Sequence, residues 1–523
     1  MFKPQNMRYT KTPIQIQKIK SVANLKKNED TGSYPQINKV TKLQLADFES
    51  QIVGKVVYPW SADYNTDRLD FNNLYPAFPL AIVYVKGITD IRECLSFAQR
   101  YDIWTVVRSG GHSLAGFSVC DGLVIDMSGM KDIYINLSDN TAIIDAGATF
   151  GDIYPKVEAY HLHLPGGGCP TVAIAGFMQG GGYSLTSRNF GINCDSVLEI
   201  TAMLADGKIV VANRNRNEDL FWAMRGGTGN NFAVLLTVKY QLYPLGDIYG
   251  MQITWNMDTE IDHAALALFT IQENYLSGYS FPNLGIETVL TTDATDKQKK
   301  VFFCGAWIGS EEDMQQALSP LLAIPGATIT INEKGPYSKI NNDLLESCPV
   351  LPNDVKAFSQ STYLERSLSV SDWKNILNFF KTAPNEYTMI DMEGYGGNIN
   401  TVLEDDCAFV HRNVTMDFFC DAFYNKETND KQKNEEWLAA LMQFMKTYDN
   451  GHSYQNYPNR NQTDFKWAYW GKYYNTLVAI KNKYDPSNFF HYLQSIGEPI
   501  DDAHQSTQIV LFETPSPIQY EAY

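Results

Sequence analysis

Glycine is concentrated in the part of the chain where it most restricts the fold. Eight of the 36 glycines lie within residues 165–191, in an otherwise apolar stretch, and shorter glycine-rich loops occupy 109–111 and 226–229. Glycine allows a backbone to take positive φ angles or to approach another group closely. Tight turns in a β-rich domain would explain any one loop. Three together favour an extended cofactor whose diphosphate is bound by backbone N–H groups.

The standard nucleotide-binding motifs do not account for these loops. The sequence has no GxxxxGK[ST] and no GxGxxG after a predicted strand, which argues against P-loop and NAD-type Rossmann proteins. It also has no CxxC and no zinc-type Cys/His spacing, and His161 and His163 have no third ligand in the sequence, so no metal site is expected. For the eight cysteines, buried free thiols are the ordinary interpretation.

Composition excludes several classes of partner. The 523 residues carry a net charge of −17, which argues against binding to nucleic acid or to an anionic membrane surface. No run approaches the ~20 apolar residues of a membrane span. The first 28 residues hold seven basic side chains, no acid and no apolar signal segment. We therefore expect a soluble protein with a poorly ordered extension; an intracellular location fits, but compartment and oligomeric state stay open.

The order of predicted elements divides the chain. A strand at 80–85, a helix capped by Thr89 or Asp90, and a strand at 104–107 predict a βαβ unit. Asp206-Gly207 predicts a hairpin. Near residue 244 the glycine-rich loops give way to longer amphipathic segments, which continue to about residue 450. We predict an extension (1–45), a first domain (46–243), an inserted domain (244–450) and a C-terminal segment (451–523) that returns to the first domain.

Five segments carry a resemblance to a known family. They are RSGGHS (108–113), GGGCPT (166–171), LFWAMRGG (220–227), YQNY (454–457) and the closing stretch 473–496. In this order they resemble the berberine bridge enzyme-like FAD-linked oxidases, which belong to the vanillyl-alcohol oxidase superfamily. The resemblance implies an α+β fold of two domains: an FAD-binding domain of PCMH type, and an inserted substrate domain with an antiparallel sheet backed by helices.

The resemblance also implies how the FAD is held. In bicovalent members a histidine joins the flavin 8α-methyl group and a cysteine joins C6, and the matching residues here are His112 and Cys169. An imidazole nitrogen and a thiolate are suitable nucleophiles for that chemistry. Further positions assigned to cofactor binding are Arg108, Ser109, Gly110, Gly111, Ser113, Gly168, Thr171, Val172, Gly176, Gly182, Val234 and Asn456.

Catalysis in the family is oxidation by hydride transfer to flavin N5, with a base that removes the substrate's hydroxyl proton. A tyrosine can be that base if its neighbours lower its pKa from ~10. Tyr457, which closes YQNY, is the first choice, by similarity to the carbohydrate oxidases. Tyr454 would line the pocket or assist. Tyr183 matches a tyrosine used in plant alcohol-oxidising members.

Two asparagines complete the predicted pocket. Asn398 and Asn400 lie in a segment that resembles the family's substrate strand, before the FxHR sequence that ends in His411 and Arg412. A carboxamide can orient a hydroxyl group but cannot act as a base, which favours a tyrosine in that role. The alternative, two turn asparagines, stays open. His411 is expected to be structural.

The second half-reaction leaves three alternatives. Val172 is typical of oxidases at a position that controls oxygen access, so the sequence favours an oxidase that uses O2, forms H2O2 and acts on an alcohol, sugar or secondary metabolite. The second is a flavin dehydrogenase with another acceptor, and the third a non-catalytic binding protein that keeps the fold. The identity of the small-molecule substrate is left open.

Overall fold

The computed structural model describes residues 39–277, 279–345, 356–424 and 430–498, together with 519 and 521. Most of the predicted extension lies outside these residues, and its last part begins helix α1. The strands are β1 Lys55–Val57, β2 Ala81–Tyr84, β3 Thr105–Arg108, β4 Leu123–Asp126, β5 Ile133–Asn136, β6 Thr141–Asp145, β7 Leu162–His163, β8 Val197–Met203, β9 Ile209–Asn213, β10 Val234–Gln241, β11 Tyr243–Pro244, β12 Ile248–Asn256, β13 Leu284–Thr292, β14 Lys299–Trp307, β15 Thr328–Gly335, β16 Lys356–Leu364, β17 Met389–Gly394 and β18 Met416–Tyr424. The helices are α1 Lys42–Gln51, α2 Tyr64–Asp67, α3 Ile88–Tyr101, α4 Phe150–Glu158, α5 Ile174–Gln179, α6 Ser187–Phe190, α7 Glu218–Ala223, α8 Ile261–Ile271, α9 Glu311–Leu322, α10 Tyr337–Leu345, α11 Val370–Phe380, α12 Lys431–Met445, α13 Phe465–Trp470 and α14 Tyr474–Tyr484.

The first sheet has the order β1-β2-β4-β3, with β2, β4 and β3 parallel. The predicted strand–helix–strand unit is present, but β4 lies between its two strands. Helix α3 buries Ile91, Cys94, Leu95 and Ala98. The predicted cap is wrong: Gly87 occupies the N-cap position, and the Asp90 carboxylate instead accepts N–H groups from the chain before the helix and from the loop ahead of β1.

The second sheet is antiparallel, in the order β5-β6-β10-β8-β9. The predicted hairpin joins β8 and β9 through Gly207, whose φ is +79°. Both small sheets share one hydrophobic core with the C-terminal helices α13 and α14. Gly471, whose φ is +48°, ends α13 before α14 begins. In the described residues no helix is long and apolar enough to span a membrane.

The third sheet is the inserted one, with seven antiparallel strands in the order β15-β12-β14-β13-β17-β18-β16. Side chains alternate between its faces. One face packs against α8, α9, α11 and α12 around its own core. The other turns toward the first core and contributes Val289, Phe302, Cys304 and Tyr363 to it. The predicted α+β architecture, an antiparallel sheet backed by helices, is confirmed; α10 packs on the second face, beside the residues that join the first core.

Candidate functional site

The glycine-rich loop 164–173 is held in place by hydrogen bonds that its carbonyl groups accept from other segments. Tyr154 Oη donates to Gly167 O at 2.8 Å, Tyr337 Oη donates to Gly166 O at 3.1 Å, and Asn341 Nδ2 donates to Gly168 O at 2.9 Å. These donors lie on α4, before residue 244, and on α10, within the predicted inserted domain (244–450). They fix the backbone immediately before Cys169, whose side chain is left accessible.

Cys169 is a free thiol, and its side chain is exposed. Desolvation by the surrounding protein and, to a smaller extent, the carboxyl groups of Glu287 and Asp421 raise the pKa of Cys169 to about 11. Its thiol is therefore mostly protonated near neutrality, and a proton must leave before the sulfur becomes a nucleophile.

His112 lies beside this loop. Its Nε2 is 2.8 Å from Thr171 Oγ1, and its ring stacks on Phe71 with centroids 4.7 Å apart. Burial lowers the pKa of His112 to about 4, so the imidazole is neutral at physiological pH. Since Thr171 follows Cys169 by two residues, its contact with the ring brings the predicted histidine and cysteine to one place. Nδ1 is the ring nitrogen that this contact leaves unused.

The residues around His112 and Cys169 suit a bound flavin nucleotide. Gly110 and Gly176 are exposed, and a Cβ built on Gly176 would meet no atom within 4 Å. Open space next to accessible backbone is what a cofactor cradle requires. Gly111 has a φ of +67°, and a Cβ there would lie 3.1 Å from Asp70 Oδ1. The loop thus has room for a ligand on one side and close backbone packing on the other.

Several residues predicted to bind the cofactor have other roles for their side chains. Arg108 Nε donates to Asp126 Oδ2 at 2.6 Å, and its Nη1 donates to Asp67 O at 2.7 Å, so its buried guanidinium anchors the loop instead of facing a phosphate. Ser109 Oγ donates to Ala146 O at 2.5 Å, and Ser113 Oγ accepts the N–H of Phe117. Their predicted role is corrected to positioning the loop.

Two more predicted contacts are changed by burial and packing. Val234 lies in β10 with no accessible surface, so its side chain belongs to the core. Asn456 Nδ2 donates to Phe177 O and to Tyr454 Oη, both at 3.0 Å, and so joins the C-terminal segment to the end of α5. Val172 is half-buried, and its N–H donates to Cys169 O.

Tyr183 cannot be the base. Its buried hydroxyl group donates toward two backbone carbonyls of the inserted sheet, Ile286 O at 2.8 Å and Gly394 O at 3.1 Å. Burial, together with the carboxyl groups of Glu393 and Glu287, places the pKa of Tyr183 well above its ordinary value. The residue is a structural link between β13 and β17.

Tyr454 has a hydroxyl group that serves as an acceptor. The N–H groups of Gly182 and Tyr183 donate to Tyr454 Oη at 2.8 and 3.2 Å, and Asn456 Nδ2 donates at 3.0 Å. The Gly182 N–H, predicted to help hold the cofactor, is therefore already engaged. Burial still raises the pKa of Tyr454, so these donors orient the ring and do not ionise it.

Tyr457 is the predicted tyrosine with the most direct link to an acid. Its Oη donates to Glu393 Oε1 at 2.6 Å, and its half-buried ring stacks on Phe419 with centroids 4.0 Å apart. Burial and the neighbouring Glu393 hold the pKa of Tyr457 well above 10. The expectation that neighbours lower this pKa is wrong. The structure instead supplies a carboxyl group that can receive the tyrosine's proton.

A row of acids lies on the face of the inserted sheet opposite α8, α9, α11 and α12. These acids are not among the site residues predicted from the sequence. Glu287, Glu393 and Asp417 lie directly opposite one another on β13, β17 and β18, and Asp391 and Asp421 share their face. Burial and mutual repulsion raise the pKa of Asp391, and burial raises that of the other four. Among the described residues none of the five forms an ion pair with Lys or Arg. The alternation of acidic and apolar residues in 389–394 is the sequence pattern that indicates this acidic row.

Asn398 and Asn400 are not part of this acidic face. Asn398 lies in a short turn after β17, where its amide donates to Asn189 O and accepts from Tyr279 Oη. Asn400 is exposed; its Oδ1 accepts the N–H of Gly396, and its Nδ2 donates to a loop carbonyl. The substrate-pocket prediction is corrected because the strand ends at residue 394, and both asparagines stabilise the turn that follows.

The remaining histidines of interest are structural. His163 is buried with Nε2 2.7 Å from Thr186 Oγ1, and burial lowers its pKa to about 3. His411 stacks on Tyr363 with centroids 4.3 Å apart, and its Nε2 is 3.1 Å from Gln455 Oε1. Arg412 forms a two-pronged ion pair with Asp195, at 2.6 and 2.9 Å.

Known proteins match the chain before and after the inserted sheet. A family described as "FAD binding domain" matches residues 79–213, and one described as "Berberine and berberine like" matches 453–497. The chain is 26% identical over 456 residues to the uncharacterized FAD-linked oxidoreductase YgaK of Bacillus subtilis, covering 86% of this chain and 98% of that protein. It is 28% identical over 418 residues to tetrahydroberberine oxidase of Berberis wilsoniae, covering 73% and 78%. Among solved structures, BBE-like 1 of Physcomitrella patens superposes with a TM-score of 0.78 at 25% identity, covering 86% of this chain and 98% of that one.

Proposed function

Because the chain is a berberine bridge enzyme-like flavoprotein and an FAD-linked oxidoreductase, we propose that it is an oxidase with bicovalently attached FAD. His112 would carry the 8α bond and Cys169 the C6 bond. One observation carries the proposal: His112 Nε2 contacts the side chain of Thr171, two residues after the exposed thiol of Cys169. The substrate would be an alcohol, sugar or secondary metabolite, with O2 as the acceptor and H2O2 as the product.

When bound, the flavin supplies a two-electron acceptor for hydride and a site for reoxidation by O2. The protein's own residues prepare the attachment. The low pKa of His112 keeps its ring neutral, and the contact at Nε2 leaves Nδ1 as the nucleophile. The thiol of Cys169 must first lose its proton because its pKa is raised.

Tyr457 and Glu393 together provide the base. Tyr457 Oη takes the proton of the substrate hydroxyl group while its own proton passes along the 2.6 Å hydrogen bond to Glu393 Oε1. The tyrosine thus need not ionise in the free enzyme, which its high pKa would oppose. The carboxylate must be unprotonated to accept. Since the pKa of Glu393 lies well above its ordinary value, substrate oxidation should accelerate with pH beyond the normal range of a glutamate.

The acidic face also limits the substrate. Burial favours the protonated form of these five carboxyl groups, and among the described residues none has a Lys or Arg partner that could also pair with a substrate carboxylate or phosphate. Neutral hydroxylated compounds therefore fit this face best. Val172 supports the oxidase over the dehydrogenase, since a half-buried valine beside Cys169 is smaller than the leucine or isoleucine expected in a dehydrogenase.

The first experiment identifies the substrate class. The purified holoprotein is screened in air with sugars, benzylic alcohols and polycyclic amines, with peroxide as the readout. We expect peroxide in proportion to the substrate consumed. Reduction of a dye without peroxide would instead support the dehydrogenase, and a protein without flavin absorbance would contradict both.

The second experiment tests the base with the active substrate. Tyr457→Phe should slow anaerobic flavin reduction by roughly 10²–10⁴-fold, and Glu393→Gln should remove the acceleration with pH. Tyr183→Phe is the matched control, because it removes a hydroxyl group that bonds only to the sheet backbone. An unchanged rate in Tyr457→Phe would remove this residue from the proposed role.

A further inference from the structure

Two buried thiols face each other where the predicted first domain (46–243) meets the predicted inserted domain (244–450). Cys194 lies in the short turn Asn193–Ser196 before β8, and Cys407 follows the turn Glu404–Asp406. Their Sγ atoms are 4.0 Å apart although the residues are separated by 213 positions, and each side chain has 0% exposure. The contact is therefore a product of the tertiary fold.

The charged groups around the pair point to a covalent bond between the sulfurs more than to a metal ion. Ligand atoms of Cys194, Asp195 and Cys407 lie within 4.8 Å of one another, close enough for a shared cation. A cation is already there, because Arg412 Nη2 lies 3.2 Å from Cys407 Sγ and its guanidinium binds both oxygens of Asp195. A metal would have to displace this ion pair, whereas a disulfide needs no ligand from Asp195.

We propose that Cys194 and Cys407 form an oxidative modification site, in which a peroxide links them as a disulfide between the two domains. The sulfurs need to approach by about 2 Å to reach a bond length of ~2.05 Å. Both lie on short turns and not inside strands, so the movement does not disrupt a sheet. The proposal does not depend on the protein's own peroxide production.

The chemistry balances with hydrogen peroxide as the oxidant. The Cys407 thiolate attacks one peroxide oxygen, the O–O bond breaks, and the departing hydroxide takes a proton to become water. Cys194 then attacks the resulting sulfenic acid, the S–S bond forms, and a second water leaves. Two thiols thus lose two electrons and two protons, and one peroxide becomes two waters. The Cys194 thiol as a hydrogen-bond donor, with Arg412 and Arg225 nearby, lowers the pKa of Cys407 to about 6, which favours the attacking thiolate.

The two cysteines also lie next to the backbone that contacts Tyr454. The Cys194 N–H donates to Gly181 O at 2.9 Å. Phe409, two residues after Cys407, packs so closely on Gly181 that a Cβ there would lie 2.6 Å from its ring, and its edge meets the ring of Tyr454. The disulfide would therefore fasten the backbone that holds the Tyr454 hydroxyl group, and we expect a higher unfolding temperature for the oxidised protein.

The experiment uses the holoprotein, first reduced with a thiol reductant and then freed of it. Protein with and without added hydrogen peroxide is denatured in an alkylating reagent and digested without reduction. We expect a peptide pair joined through Cys194 and Cys407, two fewer alkyl groups on the peroxide-treated protein, and recovery of both thiols on reduction. Recovery of both cysteines in alkylated form after peroxide, or as sulfinic and sulfonic acids, would overturn the proposal.

Variants separate this pair from general thiol oxidation. Cys194→Ser and Cys407→Ser should each abolish the joined peptides and the rise in unfolding temperature. Cys420→Ser is the matched control: it removes another fully buried thiol of the inserted domain, and the joined peptides should persist. The peptide result on the wild type decides the proposal even where a variant folds poorly, and none of these measurements uses substrate turnover.

Discussion

Asp421 should make the folded protein less stable as pH rises. Its carboxyl group is buried on β18, on the face of the sheet opposite α8, α9, α11 and α12. It accepts a hydrogen bond from Ser359. Burial raises the pKa of Asp421 to about 7. In an unfolded chain an aspartate titrates near ~3.9, and a difference of about three pKa units corresponds to roughly 4 kcal/mol.

The sign follows from which state keeps the proton. Between about pH 4 and pH 7 the folded protein holds this proton while the unfolded chain has lost it, so the free energy of unfolding falls as pH rises. Roughly a third of the loss is present at pH 5 and nearly all at pH 7.5. The substitution Asp421→Asn keeps the shape and the acceptor for Ser359 but removes the ionisation. It should stabilise the protein by about 1.5 kcal/mol at pH 5 and about 4 kcal/mol at pH 7.5.

The assay is chemical denaturation of wild type and variant at both pH values, followed by tryptophan fluorescence. Asp405→Asn is the control, because it changes an exposed carboxyl group of the same domain. The diagnostic quantity is the pH dependence of the difference between wild type and variant. A gain equal at the two pH values, or a variant less stable at pH 7.5, would refute the reasoning from burial.

Two further predictions concern the covalent bonds and the domain contact. Acid-precipitated wild type should retain one FAD by mass, His112→Ala and Cys169→Ala should each retain it through the other residue, and flavin that washes out of the wild type would contradict the linkage. Gly285→Ala should destabilise the protein strongly in thermal unfolding, because its Cβ would lie 1.6 Å from Leu185 O, whereas Gly246→Ala, with open space at its Cβ, should not. Equal unfolding temperatures would show that the backbone at Gly285 adapts.

Local signals in the sequence predicted much of the fold. Period and turn residues located α3 and the β8–β9 hairpin, because these depend on neighbours along the chain. Motif order predicted the family and the fold. The structure then brings His112 and Cys169 to one place through Thr171, which agrees with the predicted attachment without testing it.

Contacts between distant segments could not be predicted in the same way. Glu287, Glu393 and Asp417 form one row only because the register of three strands aligns them. A motif also fixes a residue's position but not the direction of its side chain. The motifs therefore predict cofactor binding for Arg108 and the role of base for Tyr183, although both side chains bind backbone carbonyls.

The short segment 183–188 has a consequence for protein engineering. Tyr183 and Arg188 lie in the predicted first domain, yet both side chains bind backbone carbonyls of residues 244–450. The Arg188 guanidinium donates to Leu284 O and Ser280 O, among others. A chimera that exchanges residues 244–450 for those of a relative would leave these donors facing a foreign backbone. The exchangeable unit for changing specificity is therefore the inserted sheet together with 183–188, and grafts that omit this segment should fold poorly whatever pocket they carry.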